Sequence, residues 1–271
     1  MRFTMKVEGK VWVVTGGGSG MGRELVLLLL KRGAKVATLD INGDSLAETA
    51  KLAGDHAQSL STHVLDITDR EKVHAFPEEV IKIHGAVDAI INNAGIIQPF
   101  IKVNELEYDV IERIININFY GTLFMVKAFL PHLLKREEGY IANISSMGGF
   151  LPVPGQTFYG ASKAGVKLLT EGLHSELMET NVRVSCIFPG AIDTNITANS
   201  GVETPGHEKA DASKFKALPA PEAARIMLDG IEKNKYHIFV GKDSSFMNKL
   251  WRLAPERAAK LIYSKMKALL N

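Results

Sequence analysis

Short apolar segments and helix-like segments alternate along the chain, and this alternation constrains the fold more than any other feature. Seven segments are apolar and partly β-branched, as is typical of strands buried on both faces; they lie at 11–15, 35–40, 61–66, 89–92, 140–145, 183–188 and 237–240. Helical stretches separate them at 20–31, 43–53, 69–84, 105–130, 159–179 and 221–234. The pattern predicts one α/β domain of three α/β/α layers, built on a parallel sheet of about seven strands.

Composition excludes several classes of protein. With 46% hydrophobic and 23% charged residues, a chain of 271 residues can bury a large core, and its net charge of +2 gives no case for nucleic-acid binding. The single cysteine, Cys186, fits a reducing compartment and is expected to be a buried structural thiol. The longest aliphatic run, at 25–30, is too short to span a bilayer, and no secretory signal is visible, so we expect a cytoplasmic protein.

A glycine-rich turn follows the first strand and precedes the first helix. Glycines there permit a tight turn and a close approach of the backbone to a pair of phosphates, while the helix N-terminus supplies free N–H groups. The turn therefore predicts a dinucleotide site formed by Gly16, Gly18, Ser19, Gly20, Met21 and Gly22.

Asp40, at the end of the second strand, indicates which dinucleotide binds. A carboxylate at this position can accept hydrogen bonds from both adenosine ribose hydroxyls and repels a 2′-phosphate. Ile41 follows it and supplies no cation, so we expect NAD(H) in preference to NADP(H). Asp66 and Ile67 are expected at the adenine edge. The alternatives are that Asp40 caps the next turn and that Asp66 caps the next helix.

Tyr159 and Lys163 are four residues apart, so on a helix they share one face. A nearby ammonium favours the phenolate form of a tyrosine and so lowers its pKa. Ser146, 13 residues upstream of Tyr159, could hold a substrate oxygen beside the phenol. These three side chains form an apparatus for moving a proton on or off an alcohol or ketone. Alone, a Tyr-x-x-x-Lys pattern is also common on solvated helix faces.

Taken together, these motifs resemble the short-chain dehydrogenase/reductase family over about residues 8–242. The resemblance rests on seven elements in the family's order: TGGGSGMG, Asp40, NNAG at 92–95, Asn118 in NINFYG, Ser146 in NISSMGG, YGASK at 159–163, and Pro189-Gly190 followed by Thr194. It implies a Rossmann-like, doubly wound parallel sheet and hydride transfer at nicotinamide coupled to proton transfer. It also implies dimers or tetramers that pair through long helices, here 105–130 and 159–179.

The resemblance also implies a role for each site residue. Ser146 orients the substrate oxygen, Tyr159 is the general acid/base, and Lys163 lowers the tyrosine pKa and binds the nicotinamide ribose. Asn118 holds a water in a proton relay; the alternative is a helix-interior amide bonded to backbone. The remaining cofactor contacts that the resemblance implies are Asn93, Ala94, Gly95, Pro189, Gly190, Ile192 and Thr194. No metal is expected.

The segments expected near the substrate are apolar: Ile96, Ile97, Phe100, Met147, Phe150, Leu151 and Val153. We therefore expect a hydrophobic secondary alcohol or ketone, steroid- or lipid-like; the alternative is that these residues pack under a lid formed by the irregular stretch 191–219. The functional prediction is an NAD-dependent oxidoreductase acting on CH–OH groups. The alternative is a catalytically silent dinucleotide-binding sensor or scaffold of the same fold.

The C-terminal residues differ in character from the rest. Residues 1–242 are predicted to form the dehydrogenase domain, and 243–271 a basic amphipathic helical extension. From 241 to 271 there are seven Lys or Arg and two acidic residues, with apolar residues at helical spacing interrupted by Pro255. Such a helix could make peripheral contact with an anionic membrane, or it could pack on protein, either a neighbouring subunit or the roof of the substrate cleft.

Overall fold

The computed structural model describes residues 5–202 and 217–270, and nine strands lie in these residues. They are β1 (Val11–Thr15), β2 (Lys35–Asp40), β3 (Leu60–Val64), β4 (Ala89–Asn92), β5 (Gly139–Ile144), β6 (Val182–Pro189), β7 (Ile192–Asp193), β8 (Leu218–Pro219) and β9 (His237–Val240). Seven pair into one parallel sheet in the order β3-β2-β1-β4-β5-β6-β9. The order reverses between β1 and β4, which opens a crevice at the carboxyl ends of these strands. The predicted fold is confirmed.

Helices cover both faces of this sheet. They are α1 (Gly20–Lys31), α2 (Gly43–Leu52), α3 (Arg70–His84), α4 (Tyr108–Ile115), α5 (Thr122–Leu133), α6 (Thr157–Glu176), α7 (Ile196–Asn199), α8 (Ala220–Glu232), α9 (Lys242–Leu253) and α10 (Pro255–Met266). A π-helical segment, Asn116–Gly121, joins α4 to α5. The predicted helix 105–130 begins later because Val103–Glu105 forms a separate 3₁₀ turn. The helix predicted at 159–179 begins two residues before Tyr159.

Two apolar cores, one on each face, hold the helices to the sheet. Side chains of β1 alternate between them: Val11 and Val13 join the core under α3 and α5, whereas Trp12 and Val14 join the core under α1 and α8. The continuous helical run Tyr108–Leu133 is long and apolar enough to cross a membrane by length and composition alone, a test that core helices also pass. Its residues Met125 and Phe129 are fully buried against the sheet, as in a core helix.

The C-terminal helices α9 and α10 pack on the domain through a third apolar cluster. Leu151 joins the cluster from the segment after β5, and Met247, Ala258 and Ile262 join it from the two helices. Met147, Phe150 and Val153 pack against it. The buried part of the extension's apolar face is thus covered by the segments expected near the substrate, whereas Phe246 and Leu253 are exposed. The predicted contact with protein at the roof of the cleft agrees with this packing, and the structure gives no support to membrane contact.

Candidate active site

The glycine turn is shaped by close approaches that only glycine allows. A Cβ on Gly17 would lie 1.8 Å from Thr38 Oγ1, and one on Gly22 would lie 2.0 Å from the backbone oxygen of Gly16. Gly16 and Gly20 have φ of +69° and +52°, the left-handed region in which side chains are strained. Ser19 is the N-cap of α1, but its side chain accepts no hydrogen bond from the helix. It therefore leaves the N–H groups of the first turn free to face the crevice. The turn suits an anionic phosphate pair.

Partly buried and exposed hydrogen bonds hold this turn in place, and the sequence analysis assigned no role to the two side chains that make them, Arg23 and Thr15. Arg23 donates from Nη2 to the backbone oxygen of Gly18 at 2.5 Å and pairs with Glu48 Oε2 at 2.5 Å. Thr15 Oγ1 accepts from the backbone N–H groups of Asn93 and Ala94 at 2.9 Å. The signal for both residues was position alone, since each borders the glycine run.

Asn93 ties the fourth strand to the glycine turn. Its Nδ2 donates to the backbone oxygens of Thr15 at 3.0 Å and Gly16 at 3.3 Å. The predicted contacts Asn93, Ala94 and Gly95 therefore lie at the same sheet edge as the turn, as strands β1 and β4 are neighbours.

Asp40 lies beside Gly18 at the end of β2. Its Oδ2 accepts the Gly18 N–H at 3.0 Å, and its Oδ1 accepts the Asn42 N–H at 3.1 Å. Asn42 is the N-cap of α2 and accepts from Ser45 N–H at 3.0 Å, whereas the bond from the Asn42 N–H to Asp40 closes the turn before α2, which is the local role of the alternative prediction. Ile41 is 69% exposed next to it. The carboxylate is held at the rim of the turn, where a ribose could reach it.

Asp66 lies in a turn after β3, because that strand ends at Val64 and not at 66. Its Oδ1 accepts from the N–H and the hydroxyl of Thr68, both at 2.8 Å. The N-cap of α3 is Asp69, so the alternative of Asp66 as that cap does not hold. Ile67 is buried against Gly121, where a Cβ would lie 2.5 Å from Ile67 Cδ1. Gly121 thus lets the π-helical segment approach this turn.

The two serines after β5 face opposite environments. Ser145 is buried and donates from Oγ to the backbone oxygen of Lys163 at 2.7 Å, a structural bond. Ser146 is partly exposed, and its Oγ accepts the Gly148 N–H at 3.0 Å. A Cβ on Gly148 would lie 3.5 Å from Ser146 Oγ and 3.4 Å from Tyr159 Cε1. The hydroxyl of Ser146 and the ring of Tyr159 therefore flank the same glycine, whereas Ser145 is turned into the core.

Burial governs the ionisation of Tyr159 and Lys163. Desolvation raises the pKa of Tyr159, and a hydrogen bond with Ser146 opposes that rise. Lys163 is 4% exposed, and burial lowers its pKa to about 8, with a small opposing effect of Cys186. Lys163 Nζ donates to the backbone oxygen of Ile144 at 3.0 Å. Burial therefore dominates the pKa of Tyr159, and the opposing influence comes from Ser146 and not from the expected Lys163 ammonium.

Asn118 lies in the π-helical segment with its amide committed to backbone. Oδ1 accepts the Ile96 N–H at 2.9 Å, and Nδ2 donates to Ile96 O at 2.9 Å and to Ser162 Oγ at 3.0 Å. This is the geometry of the alternative reading of Asn118. A Cβ on Gly95 would lie 3.1 Å from both Asn118 Oδ1 and Lys163 Nζ. The Asn118 amide and the Lys163 amine therefore both lie close to Gly95, at the crevice.

The segment after β6 is braced by the C-terminal helix α9. Asp243 Oδ2 accepts the Ala191 N–H at 2.8 Å, and its carboxylate fills the space where Gly190 would carry a Cβ. Thr194 lies near the glycine turn, with its Cβ 3.3 Å from a Cβ placed on Gly20. Ile192 is partly buried against the core under α1. The predicted contacts from Pro189 to Thr194 therefore reach the crevice, held by a residue that the sequence did not indicate.

The described part of the expected lid folds over the same crevice. Asn199 Nδ2 donates to Ser19 Oγ at 2.8 Å, and the Ile97 N–H donates to Ser200 Oγ at 3.0 Å. A short two-stranded sheet pairs β7 with β8. The rest of the expected lid, 203–216, lies outside the described residues.

Three comparisons place the chain among known proteins. A family model described as short chain dehydrogenase matches residues 10–204. SadH of Mycobacterium tuberculosis (strain ATCC 25618 / H37Rv), whose name describes it as an oxidoreductase, is 37% identical over 261 residues, 94% of each chain. The 3-oxoacyl-[acyl-carrier-protein] reductase FabG of Thermotoga maritima is 37% identical over 193 residues, 71% of this chain and 78% of FabG.

A solved structure of a short chain dehydrogenase from Burkholderia cenocepacia J2315, in complex with NADP, superposes with a TM-score of 0.80. The two sequences are 26% identical, and the match covers 95% of this chain and 99% of that one. The parallel seven-stranded fold agrees with these matches. The chain belongs to the short-chain dehydrogenase/reductase family of oxidoreductases.

Proposed function

We propose that this protein is an NAD(H)-dependent oxidoreductase that interconverts a secondary alcohol and a ketone on an apolar substrate. One observation carries the proposal: Tyr159 and Ser146 flank Gly148 while the Lys163 amine reaches the same crevice over Gly95. FabG, a relative, is named as the reductase of a 3-oxo group, which is chemistry of the same class.

The side chains divide the work of reducing a ketone. A bound dihydronicotinamide supplies the hydride to the carbonyl carbon. Ser146 Oγ donates a hydrogen bond to the carbonyl oxygen and fixes its position. Tyr159 Oη donates its proton to that oxygen as negative charge develops there, and it accepts the proton back in the reverse reaction. The Lys163 ammonium stabilises the phenolate that the transfer leaves behind.

The residues of the turn fit a nicotinamide dinucleotide. A Cβ on Gly18 would lie 2.9 Å from Asp40 Oδ2, so the turn leaves room for a ribose at the carboxylate only because residue 18 is glycine. The cation nearest the turn in sequence, Arg23, is committed to Gly18 O and Glu48. A 2′-phosphate beside Asp40 would meet a carboxylate, and this supports NAD(H) over NADP(H).

The apolar residues that follow Ser146 support an apolar substrate only where they are partly exposed: Leu151 is 1% exposed and packs internally, as in the alternative prediction, whereas Met147, Phe150 and Val153 are partly buried. Phe150 and Leu151 follow Ser146 closely, and α9 and α10 pack on them to form a roof. We therefore propose that residues 1–242 carry out the chemistry and that residues 243–271 cover the substrate side of the site.

Substitution of the phenol tests the function. Tyr159→Phe should lower turnover of an alcohol and ketone panel by about a hundredfold or more, because the proton donor is removed. The binding of NADH, followed by its fluorescence, should be unchanged, since the glycine turn is intact. A Tyr159→Phe variant with wild-type turnover would show that another group moves the proton. Tight NADH binding by wild type without turnover of the panel would favour the sensor alternative.

Cofactor preference has a separate test. Asp40→Ala should reduce the discrimination against NADPH by about tenfold, the effect of removing roughly 1.4 kcal/mol of repulsion between a carboxylate and a phosphate. The measurement is the ratio of kcat/KM for NADH and NADPH. A wild-type preference for NADPH would contradict the proposed role of Asp40.

A further inference from the structure

Gln98 and Gln156 form a buried pair where the catalytic helix α6 begins. Gln156 is the N-cap of α6 but makes no side-chain cap. Gln98 Oε1 takes over that task from 58 residues upstream, accepting the N–H groups of Phe158 at 2.8 Å and Tyr159 at 3.0 Å. The amide of Gln156 is therefore released from capping its own helix.

The orientation of the Gln156 amide is fixed by its partner. Nε2 donates to the backbone oxygen of Gln98 at 2.7 Å. The flipped amide would place Oε1 against that carbonyl oxygen, two acceptors in contact, so the free atom must be the oxygen. In the described part of the chain, Gln156 Oε1 has no hydrogen-bond partner, and the side chain is only 4% exposed. A buried acceptor without a donor is costly and needs an explanation.

This acceptor lies at the end of α6 that carries the proposed proton donor. Gln156 immediately precedes the first turn of α6, and Tyr159 lies three residues after it within that turn. The preceding Gly155 has Leu270 and Phe100 against it: a Cβ there would lie 2.8 Å from Leu270 Cδ2 and 3.2 Å from the Phe100 backbone. The other two unpaired buried side-chain atoms in the described residues belong to Trp12 and Asn92, on strands of the main sheet. Gln156 is the one next to the proposed proton donor.

We infer that Gln156 Oε1 is a substrate-binding acceptor, which pairs with a second hydrogen-bond donor on the alcohol or ketone. The inference rests on the proposed function and narrows its substrate class. The substrate is apolar over most of its surface and carries a hydroxyl or N–H group apart from the reacting carbon, as in a hydroxyketone and its diol. A keto group or carboxylate in that place would face an acceptor and be disfavoured.

The test compares hydroxyl with methyl at the same position. The probes are cyclohexanones with a hydroxyl or a methyl group on ring carbon 2, 3 or 4, each reduced with NADH. The enzyme variants are Gln156→Met, which has similar length and no amide oxygen, and Gln156→Glu, whose carboxyl, kept protonated by burial, can donate to the Gln98 backbone oxygen and still present an acceptor. Thermal unfolding establishes that each variant folds. Calorimetric binding of the same ketones to Tyr159→Phe loaded with NADH gives a readout that needs no turnover.

For at least one position, wild type should prefer the hydroxyl probe over its methyl counterpart by about tenfold in kcat/KM, the value of one net hydrogen bond. The preference should vanish in Gln156→Met and persist in Gln156→Glu. Equal use of hydroxyl and methyl probes by wild type, or a preference that survives in Gln156→Met, overturns the inference and leaves the proposed function standing. Failure of wild type to reduce or bind any probe with either NADH or NADPH counts against the proposed function itself.

Discussion

At the scale of residues, burial is the largest influence on the pKa values of the proposed catalytic pair, Tyr159 and Lys163. Burial raises the pKa of Tyr159 and lowers that of Lys163 to about 8, so at pH 7 the phenol is neutral and the amine is still mostly protonated. A neutral phenol at pH 7 is a proton donor. In the proposed mechanism, reduction therefore starts from the phenol form that dominates at neutral pH, and we expect oxidation to need a higher pH.

The pH dependence of the two directions tests this statement. Reduction needs the protonated phenol, so its kcat/KM should be level at low pH and fall as pH rises through the pKa of Tyr159. Oxidation needs the phenolate and should rise over the same range. Lys163→Met removes the cation that favours phenolate, so the fall in the reduction rate and the rise in the oxidation rate should both move to higher pH. If the pH dependence of both directions is unchanged in Lys163→Met, then the ammonium does not act on Tyr159.

Spacing points to the proposed reactive residues, but not to the residues that hold them in place. One helical turn links Tyr159 to Lys163, and that relation can be read from local sequence. Gln98 contacts the backbone of Tyr159 across 61 positions, and Asp243 contacts Ala191 across 52. No local pattern marks either residue, because the fold alone brings these segments together. The hydrogen bonds between the Asn118 side-chain amide and the backbone of Ile96 correspond to what the sequence analysis gave only as an alternative.

At the scale of elements, the C-terminal helices are part of the domain's core. Ile262 in α10 is 5% exposed within the cluster that includes Leu151 and Met247. Ile262→Asp buries a charge there and should lower the free energy of unfolding by about 3 kcal/mol or more. It should also raise KM for apolar ketones, since the cluster supports Phe150 and Leu151. Chemical denaturation and steady-state kinetics measure the two effects.

The adjacent Tyr263 provides a matched control on the same helix. It is 55% exposed, so Tyr263→Asp introduces the same charge at the surface. The free energy of unfolding of this variant should stay within about 0.5 kcal/mol of the wild-type value. If Ile262→Asp and Tyr263→Asp behave alike, then α10 does not pack on the domain as described.

The ends of helices and strands could be predicted where a glycine or a change of periodicity marks them. They were missed where side-chain or long-range contacts determine where the element ends. Helix α1 was predicted at its full extent, because the glycine turn begins it and Gly33 follows it. β3 ends two residues early because the Asp66 side chain binds Thr68 and turns the chain. The pairing of β7 with β8 was not predicted, since two-residue strands 26 positions apart leave no periodic signal. Cys186, predicted as a buried thiol, is buried and free.

At the scale of the whole molecule, the described surface has an apolar side on the helices next to the active site. Tyr108 on α4 is 79% exposed, Leu168 on α6 is 69% exposed, and Tyr120 in the segment between α4 and α5 is 43% exposed. Helices α4 and α6 pack together, so these side chains belong to one layer of the fold. This agrees with the expected pairing of two copies through the helices predicted at 105–130 and 159–179, which we propose as a homodimer or a dimer of dimers.

Leu168→Glu tests that pairing. A charge in the centre of an apolar interface should dissociate the oligomer, whereas the isolated fold should tolerate it because Leu168 is exposed and the opposite face of α6 carries the buried contacts. The measurement is molar mass by light scattering after size exclusion, at matched concentration. Leu253→Glu is the control, since Leu253 is 86% exposed but lies on α9. A monomeric wild type, or dissociation by Leu253→Glu alone, would place the interface elsewhere or remove it.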